Sequence, residues 1–161
     1  MSRTADDDFF AWFMRQPHII FEALGDCIIE KPEQRGASPD KVLYLGAASP
    51  RWSPGESRRV NLRQWRVPNL VCEVSDMTLA SDLDETKEIY AALEVPEYWV
   101  IDVQGLRVIA FLLQADGRYQ QCEVSQALSG LEISLVEKTF ARLVDETNGS
   151  AAQWFARQIA G

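Results

Sequence analysis

The sequence predicts a mixed α/β fold, an α+β sheet flanked by helices, in one domain spanning residues 1–161. The main support is the run from 68 to 102, where a short apolar strand, an amphipathic helix and a second strand follow one another, as in a βαβ unit. Strand-like runs separated by turn residues lie on both sides of this unit. No linker or internal repeat divides the chain, and 161 residues suit a single hydrophobic core.

The residues before the central unit are expected to form one helix and three strands. Acidic residues open the helix, where they suit the positive end of its dipole, and Pro17 ends it. Gly25 and Asp26 supply a turn typical of a hairpin between the first two strands. The expected bounds are 6–15 for the helix and 19–23, 27–30 and 41–45 for the strands.

The central strand, expected over 70–74, is apolar enough to be covered on both faces, except for Glu73. Because side chains alternate along a strand, Val71, Glu73 and Ser75 share one face. An ionised carboxylate buried there costs several kcal/mol unless a cation, a hydrogen-bond network or water meets it. Glu73 is therefore either a metal ligand or one half of a structural pair with an arginine.

The helix that follows is predicted to begin at Asp82 and to end near Leu93. Asp82 and Glu85 have the spacing of a capping box, and Pro96 prevents the helix from continuing. With a turn of about 100° per residue, one face of this helix is apolar, and Lys87 lies on the flank of that face. The apolar stripe comprises Leu83, Ile89, Tyr90 and Leu93.

A hairpin and two helices are expected after the second central strand, which covers 98–103. Ala115, Asp116 and Gly117 supply the hairpin turn. Residues 131–135 suit either a last short strand or the lead-in to a helix, and Ser150 can cap the final helix. The remaining expected bounds are 106–113 and 118–124 for the hairpin strands and 136–144 for the first helix.

Composition restricts the partners and the location. A formal net charge of −8 opposes unspecific attachment to nucleic acid. No apolar run is long enough for a membrane span, and the acidic N-terminus, unlike a signal peptide, makes the cytoplasm the default location. One histidine and three separated cysteines leave almost no ligands for structural zinc, and the cysteines are expected to be reduced core thiols.

The arginine-rich segment, residues 47–66, has the most distinctive local composition. Its five arginines and the single acid Glu56 give it about +4 in an acidic chain, and Trp52 and Trp65 lie within it. Arginine side chains suit phosphate geometry, and tryptophans can stack on bases. Arg58 and Arg59 are therefore candidate phosphate-binding residues, and the alternative is a loop that offsets the chain's own acids.

Four features together resemble the Uma-type branch of the PD-(D/E)XK superfamily of restriction-endonuclease-like nucleases. They are Pro39 and Asp40 before an early strand, the run PNLVCEVS around Glu73, the helix that carries Tyr90, and the run VPEYWVID. The resemblance covers roughly residues 19–119. It implies a restriction endonuclease-like core, which is a central mixed β-sheet flanked by helices. Many nucleases of this superfamily dimerise, so the resemblance also makes a homodimer an expectation.

The same resemblance implies a catalytic site. Asp40 and Glu73 would bind a divalent metal, Mg²⁺ or Mn²⁺, with Glu22 and the Val74 carbonyl as further candidate ligands. Lys87 would help to orient or activate the attacking water. Asp40 also suits ordinary turn chemistry before a strand.

Two positions depart from the family pattern. The branch usually has aspartate where this chain has Asn69, and it usually has its lysine where this chain has Thr86. Lys87 follows at once, but it could equally be a solvated lysine that pairs with acids on its helix. Two functions therefore stay open: a metal-dependent nuclease that hydrolyses DNA phosphodiester bonds, and a non-catalytic binding or assembly module of the same fold.

Overall fold

The computed structural model describes residues 21–160 and contains eight strands and four helices in that range. The helix expected before Pro17 and the histidine at 18 lie outside the described residues. The strands are β1 Phe21–Leu24, β2 Ile28–Glu30, β3 Lys41–Leu45, β4 Arg59–Asn61, β5 Leu70–Ser75, β6 Glu97–Asp102, β7 Arg107–Leu113 and β8 Tyr119–Cys122. The helices are α1 Leu79–Leu83, α2 Glu85–Ala92, α3 Ile133–Arg142 and α4 Asn148–Ala160.

Six strands form the main sheet in the order β1-β3-β5-β6-β7-β8. Strands β5 and β6 are parallel, with α1 and α2 in the connection between them, so the predicted βαβ unit is confirmed. The other neighbouring pairs of this sheet are antiparallel, including the predicted hairpin of β7 and β8. The fold class, a mixed sheet flanked by helices, is therefore confirmed.

The two faces of the sheet are covered by different layers. Cys72 and Trp99 belong to a core cluster that includes residues of α3 and α4. Val71 and Tyr98 belong to a second cluster, which includes residues of α2 and of the small parallel sheet formed by β2 and β4. Neighbouring residues of β5 thus face opposite clusters, as the period of two predicts, and Glu73 shares the face of Val71.

The predicted hairpin between β1 and β2 is wrong. β1 pairs with β3 in the main sheet, whereas β2 pairs with β4 in the small sheet. Asp26 has a positive φ of 52° in the connecting turn, so the turn itself forms. The turn redirects the chain from one layer to the next, because Ile29 and Val60 bury their side chains against the sheet face that carries Val42.

The predicted single helix from Asp82 is in fact two helices, and Asp82 does not cap either of them. α1 already begins at Leu79, and the chain breaks at Asp84, where φ is −122° and ψ is −89°. Asp82 lies within α1, is buried, and accepts hydrogen bonds from the hydroxyls of Ser75 and Thr78. The predicted apolar stripe is confirmed, since all of its side chains pack into the second cluster.

Glu97 is a buried carboxylate on the opposite face of the sheet. It is 1% exposed and accepts hydrogen bonds from the Trp99 indole, the Ser125 hydroxyl, and the backbone N–H groups of Gln126 and Ala127. Four donors meet the cost of burying this acid. Glu97 therefore fixes the turn that leads from β8 into α3.

The C-terminal helices differ from expectation only at their starts. α3 begins at Ile133, so the lead-in reading of residues 131–135 is closer than the strand reading, and the bridge between Val124 and Glu132 precedes it. Ser150 does not cap α4, because its backbone N–H donates to the hydroxyl of Thr147 instead. None of the three cysteines forms a disulfide with another described residue; Cys27 and Cys72 are buried as predicted, whereas Cys122 is only half-buried. In the described part of the chain, no helix is both long and apolar enough to span a membrane.

Candidate active site

The two acids singled out by the sequence meet across neighbouring strands. β3 and β5 are antiparallel, with Lys41 opposite Cys72. Asp40 precedes Lys41 and Glu73 follows Cys72, so the same register places Asp40 beside Glu73. These two carboxyl groups, called the acidic pair below, are only half-buried and lie at the end of β5 that leads into the helices.

Each carboxyl of the acidic pair is held by a donor. Asp40 Oδ2 accepts a hydrogen bond of 2.8 Å from the backbone N–H of Val74. Glu73 Oε1 accepts a hydrogen bond of 2.5 Å from the hydroxyl of Tyr90 on α2. Tyr90 is fully buried, and its own pKa is raised, first by burial and then by the charge of Glu73. Tyr90 therefore stays a donor and fixes the direction of the Glu73 carboxyl.

The electrostatics of the pair favour a shared proton when no cation is present. Burial raises the pKa of Glu73 to about 8, although the hydrogen bond from Tyr90 acts in the opposite direction. The charge of Asp40 and a hydrogen bond between the two side chains raise this pKa further, and so does the charge of Asp82. Adjacent like charges cannot both ionise easily, so the pair resists full deprotonation at neutral pH and would gain from a bound cation.

Asp82 is the part of this site that the sequence reasoning missed. Its carboxyl accepts from Ser75 on β5 and from Thr78, and its backbone carbonyl accepts from the Tyr98 hydroxyl at 2.9 Å. The available signal was Ser75, a small hydroxyl two residues after Glu73 on the same face of the strand. Asp82 thus adds a second negative charge behind Glu73.

The acidic pair fits a hard divalent cation. Mg²⁺ is usually held by only one or two carboxylates, with water and phosphate oxygens completing its shell. Within residues 21–160, no group of three or more histidine, cysteine, aspartate or glutamate side chains is arranged to hold a metal ion. Asp40 and Glu73 are therefore the residues that could hold such a cation, and the coordination would need water or substrate oxygens.

Glu22 and Asn69, the two other positions considered for the site, lie away from the acidic pair. Glu22 lies on β1, opposite Tyr44 of β3. Because β3 lies between β1 and β5, the axes of β1 and β5 are about 10 Å apart. Asn69 lies at the other end of β5, where its Oδ1 accepts from the Leu45 N–H at 2.8 Å and from Arg66 Nη1 at 2.9 Å. Asn69 therefore has a structural role, and the structure does not bring Glu22 to the acidic pair.

Lys87 is on the same face of the sheet but does not join the acidic pair. Its Nζ lies 4.2 Å from the centroid of the Phe111 ring, a cation–π contact. Phe111 belongs to β7, which is separated from β5 by β6, so the two strand axes are about 10 Å apart. The role of Lys87 beside the attacking water stays a prediction.

The arginine-rich segment forms the other flank of this face. Arg58 lies 5.2 Å over the Trp52 ring and makes no ion pair with another described residue. Arg59 instead pairs with Glu30 at 2.9 Å, which offsets its charge. The backbone carbonyl of Arg58 accepts from the N–H of Ile28, so this segment is attached through the small sheet.

An ion pair joins the loop before Asp40 to helix α2. Arg35 Nη1 lies 2.9 Å from Glu85 Oε1, although both side chains are largely exposed. Arg35 is in the loop that leads to Asp40, and Glu85 opens α2, the helix of Tyr90. An exposed ion pair of this kind contributes at most about 1 kcal/mol, so it holds the loop against α2 only weakly.

Comparison with known proteins supports the fold and gives the family. No curated protein matches the sequence. The structure is similar to the crystal structure of a "putative nuclease belonging to DUF820" from Anabaena variabilis ATCC 29413, with a TM-score of 0.56 and 17% identity over 83% of this chain and 79% of that chain. At this identity the likeness shows a common fold. The model of the family Uma2, described as "Putative restriction endonuclease", matches residues 2–145, and the chain belongs to this family.

Proposed function

We propose that the protein is a metal-dependent nuclease that hydrolyses DNA phosphodiester bonds at the acidic pair. The observation that carries this proposal is the approach of Asp40 and Glu73 across β3 and β5, with the pKa of Glu73 raised to about 8. Membership of a family described as "Putative restriction endonuclease" supports the same chemistry.

Asp40 and Glu73 would hold Mg²⁺ or Mn²⁺ in this proposal. When bound, such a cation polarises the phosphoryl group and lowers the pKa of its water. The protein's own contribution is orientation: the Val74 N–H and the Tyr90 hydroxyl each fix one carboxyl. Preorganised ligands of this kind do not have to be reoriented when the substrate arrives.

The nucleic acid would be met by cations on the face that carries the acidic pair. Arg58 and Arg59 are the proposed phosphate contacts on the side of the small sheet. Arg58 is the stronger candidate, because Arg59 already pairs with Glu30. The net charge of −8 makes such local contacts necessary.

The proposal is tested by measuring cleavage of supercoiled plasmid and of labelled duplex DNA in the presence of Mg²⁺ or Mn²⁺. Wild-type protein should cleave, and Glu73→Gln, which keeps the shape of the side chain, should lower the rate at least about a hundredfold. Glu123→Gln, at an exposed position just after β8, is the matched control and should leave the rate unchanged. Absence of any cleavage by wild-type protein with either metal would refute the proposal.

A second candidate function is a non-catalytic binding or assembly module. It is favoured by the placement of Lys87 over Phe111 and by Thr86 at the position where the family usually has lysine. The variant Thr86→Lys discriminates the two. Cleavage that appears only in this variant would favour the module, whereas cleavage by wild-type protein would exclude it.

A further inference from the structure

A pocket of about 630 Å³ lies between α2 and the turn that joins β7 to β8. Its lining carries two cations, Lys87 and Arg118, against one carboxylate, Glu88. Tyr119 also lines it, but its hydroxyl donates to the Val95 carbonyl at 2.6 Å. The polar side chains that can bind a ligand in this pocket, called the lysine–arginine pocket, are therefore mainly cationic.

The charge of Lys87 is not neutralised by an acid in the described part of the chain. Its ammonium contacts the face of Phe111, which is only 6% exposed. A cation–π contact positions the ammonium without removing its charge, and a lysine has three donors. Lys87 is therefore a fixed, partly buried cation at the edge of an open pocket.

Arg118 brings a second cation to the same pocket. Its side chain is exposed and makes no ion pair with another residue in the range 21–160. The carboxyl of Asp116 is the nearest acid in the turn, where it accepts the backbone N–H of Arg118 at 3.0 Å. The arginine side chain keeps its planar set of donors, which matches phosphate oxygens.

The strand registers give the distance of the pocket from the acidic pair. Tyr119 lies on β8, three strands from β5, and pairs with Leu113, whereas Glu73 is level with Ile109 through Val100. With about 14 Å across the strands and about 13 Å along them, Glu73 and Tyr119 are about 19 Å apart. Since successive nucleotides of one DNA strand advance by about 3.4 Å along the helix axis, a strand with one phosphate at Glu73 would bring a phosphate about five or six nucleotides away to the pocket.

We propose that Lys87 and Arg118 hold a backbone phosphate of the DNA, about five or six nucleotides from the phosphate that is hydrolysed at the acidic pair. This inference rests on the proposed nuclease function and gives Lys87 a different task, which is to bind the substrate rather than to activate water.

DNA binding without divalent metal tests the pocket separately from cleavage. The dissociation constant of a fluorescein-labelled 20-base-pair duplex is measured by anisotropy over a series of NaCl concentrations. Lys87→Ala and Arg118→Ala should each weaken binding about fivefold at low salt and reduce the slope of log K against log salt by about 0.9. Lys138→Ala, an exposed lysine on α3 at the other face, is the matched control and should change neither quantity.

A charge-conserving variant and steady-state cleavage complete the test. Lys87→Arg should keep the wild-type slope, which excludes a folding defect as the cause of the loss in Lys87→Ala. If both alanine variants bind DNA as Lys138→Ala does while wild-type protein cleaves it, this inference is overturned and the proposed function stands. If Lys87→Ala instead lowers kcat with unchanged KM, the lysine acts on the reaction and the phosphate role is refuted. If wild-type protein neither binds nor cleaves DNA, both proposals fail.

Discussion

The raised pKa of Glu73 predicts that the metal-free protein loses stability as the pH rises. The folded pKa is about 8 and the ordinary value is 4.5, so between these values the folded state binds more protons at Glu73 than the unfolded state does. The free energy of unfolding should therefore fall with increasing pH in this window. Each pKa unit corresponds to about 1.4 kcal/mol, so the loss from Glu73 is at most about 5 kcal/mol, and partial exposure makes it smaller.

The variant Glu73→Gln isolates this contribution, because glutamine keeps the shape of the side chain and does not titrate. Urea unfolding is measured at intervals from pH 4.5 to pH 9 in the presence of a chelator. The stability difference between Glu73→Gln and wild type should grow in favour of the variant as the pH rises, and should level off above about pH 8. Glu88→Gln, at an exposed site, should follow the wild-type curve. A difference that is constant across this range would refute the raised pKa of Glu73.

Three further predictions concern neighbouring residues. Tyr90→Phe removes the donor to Glu73 and should raise the pKa of Glu73 by about one to two units; an unchanged carboxyl titration by NMR would contradict this. Glu97→Ala leaves two buried and two partly buried donors without an acceptor and should lower the unfolding free energy by at least about 3 kcal/mol, against about 0.5 kcal/mol or less for Glu88→Ala; equal losses in denaturant titrations would argue against it. Asn69→Asp keeps both hydrogen bonds to Oδ1 and should leave any cleavage rate within twofold, so a tenfold gain would show that Asn69 acts on the site.

The sequence predicts the central unit well because local signals agree there. An apolar run, an amphipathic helix ended by Pro96, and a second strand each carry their own pattern, and the parallel pairing of β5 with β6 follows from their connection. The face shared by Val71 and Glu73 follows from the period of two in a strand. Asp40 reached the same site only through the family resemblance, since its pairing with Glu73 depends on strand register.

The predictions that were wrong concern features that depend on tertiary contacts. Gly25 and Asp26 form a turn, but whether the next strand pairs with β1 or crosses to another layer depends on burial of Ile29 and Val60. The capping-box spacing of Asp82 was misleading, because Ser75 on a neighbouring strand supplies a donor that the local sequence does not show. The contact of Lys87 with the Phe111 ring, 24 positions further along the chain, is likewise not visible in the local sequence, and its predicted role stays a prediction.

The central claim is that Asp40 and Glu73 jointly bind one divalent cation, and calorimetric titration with Mn²⁺ at pH 7 tests it most directly. Because the pKa of Glu73 is raised to about 8, binding of one ion to wild-type protein should release protons at pH 7, seen as a dependence of the heat on the buffer. Asp40→Asn should abolish the binding. Binding that persists unchanged in Asp40→Asn, or a wild-type protein that binds no Mn²⁺ at millimolar concentration, would contradict the account.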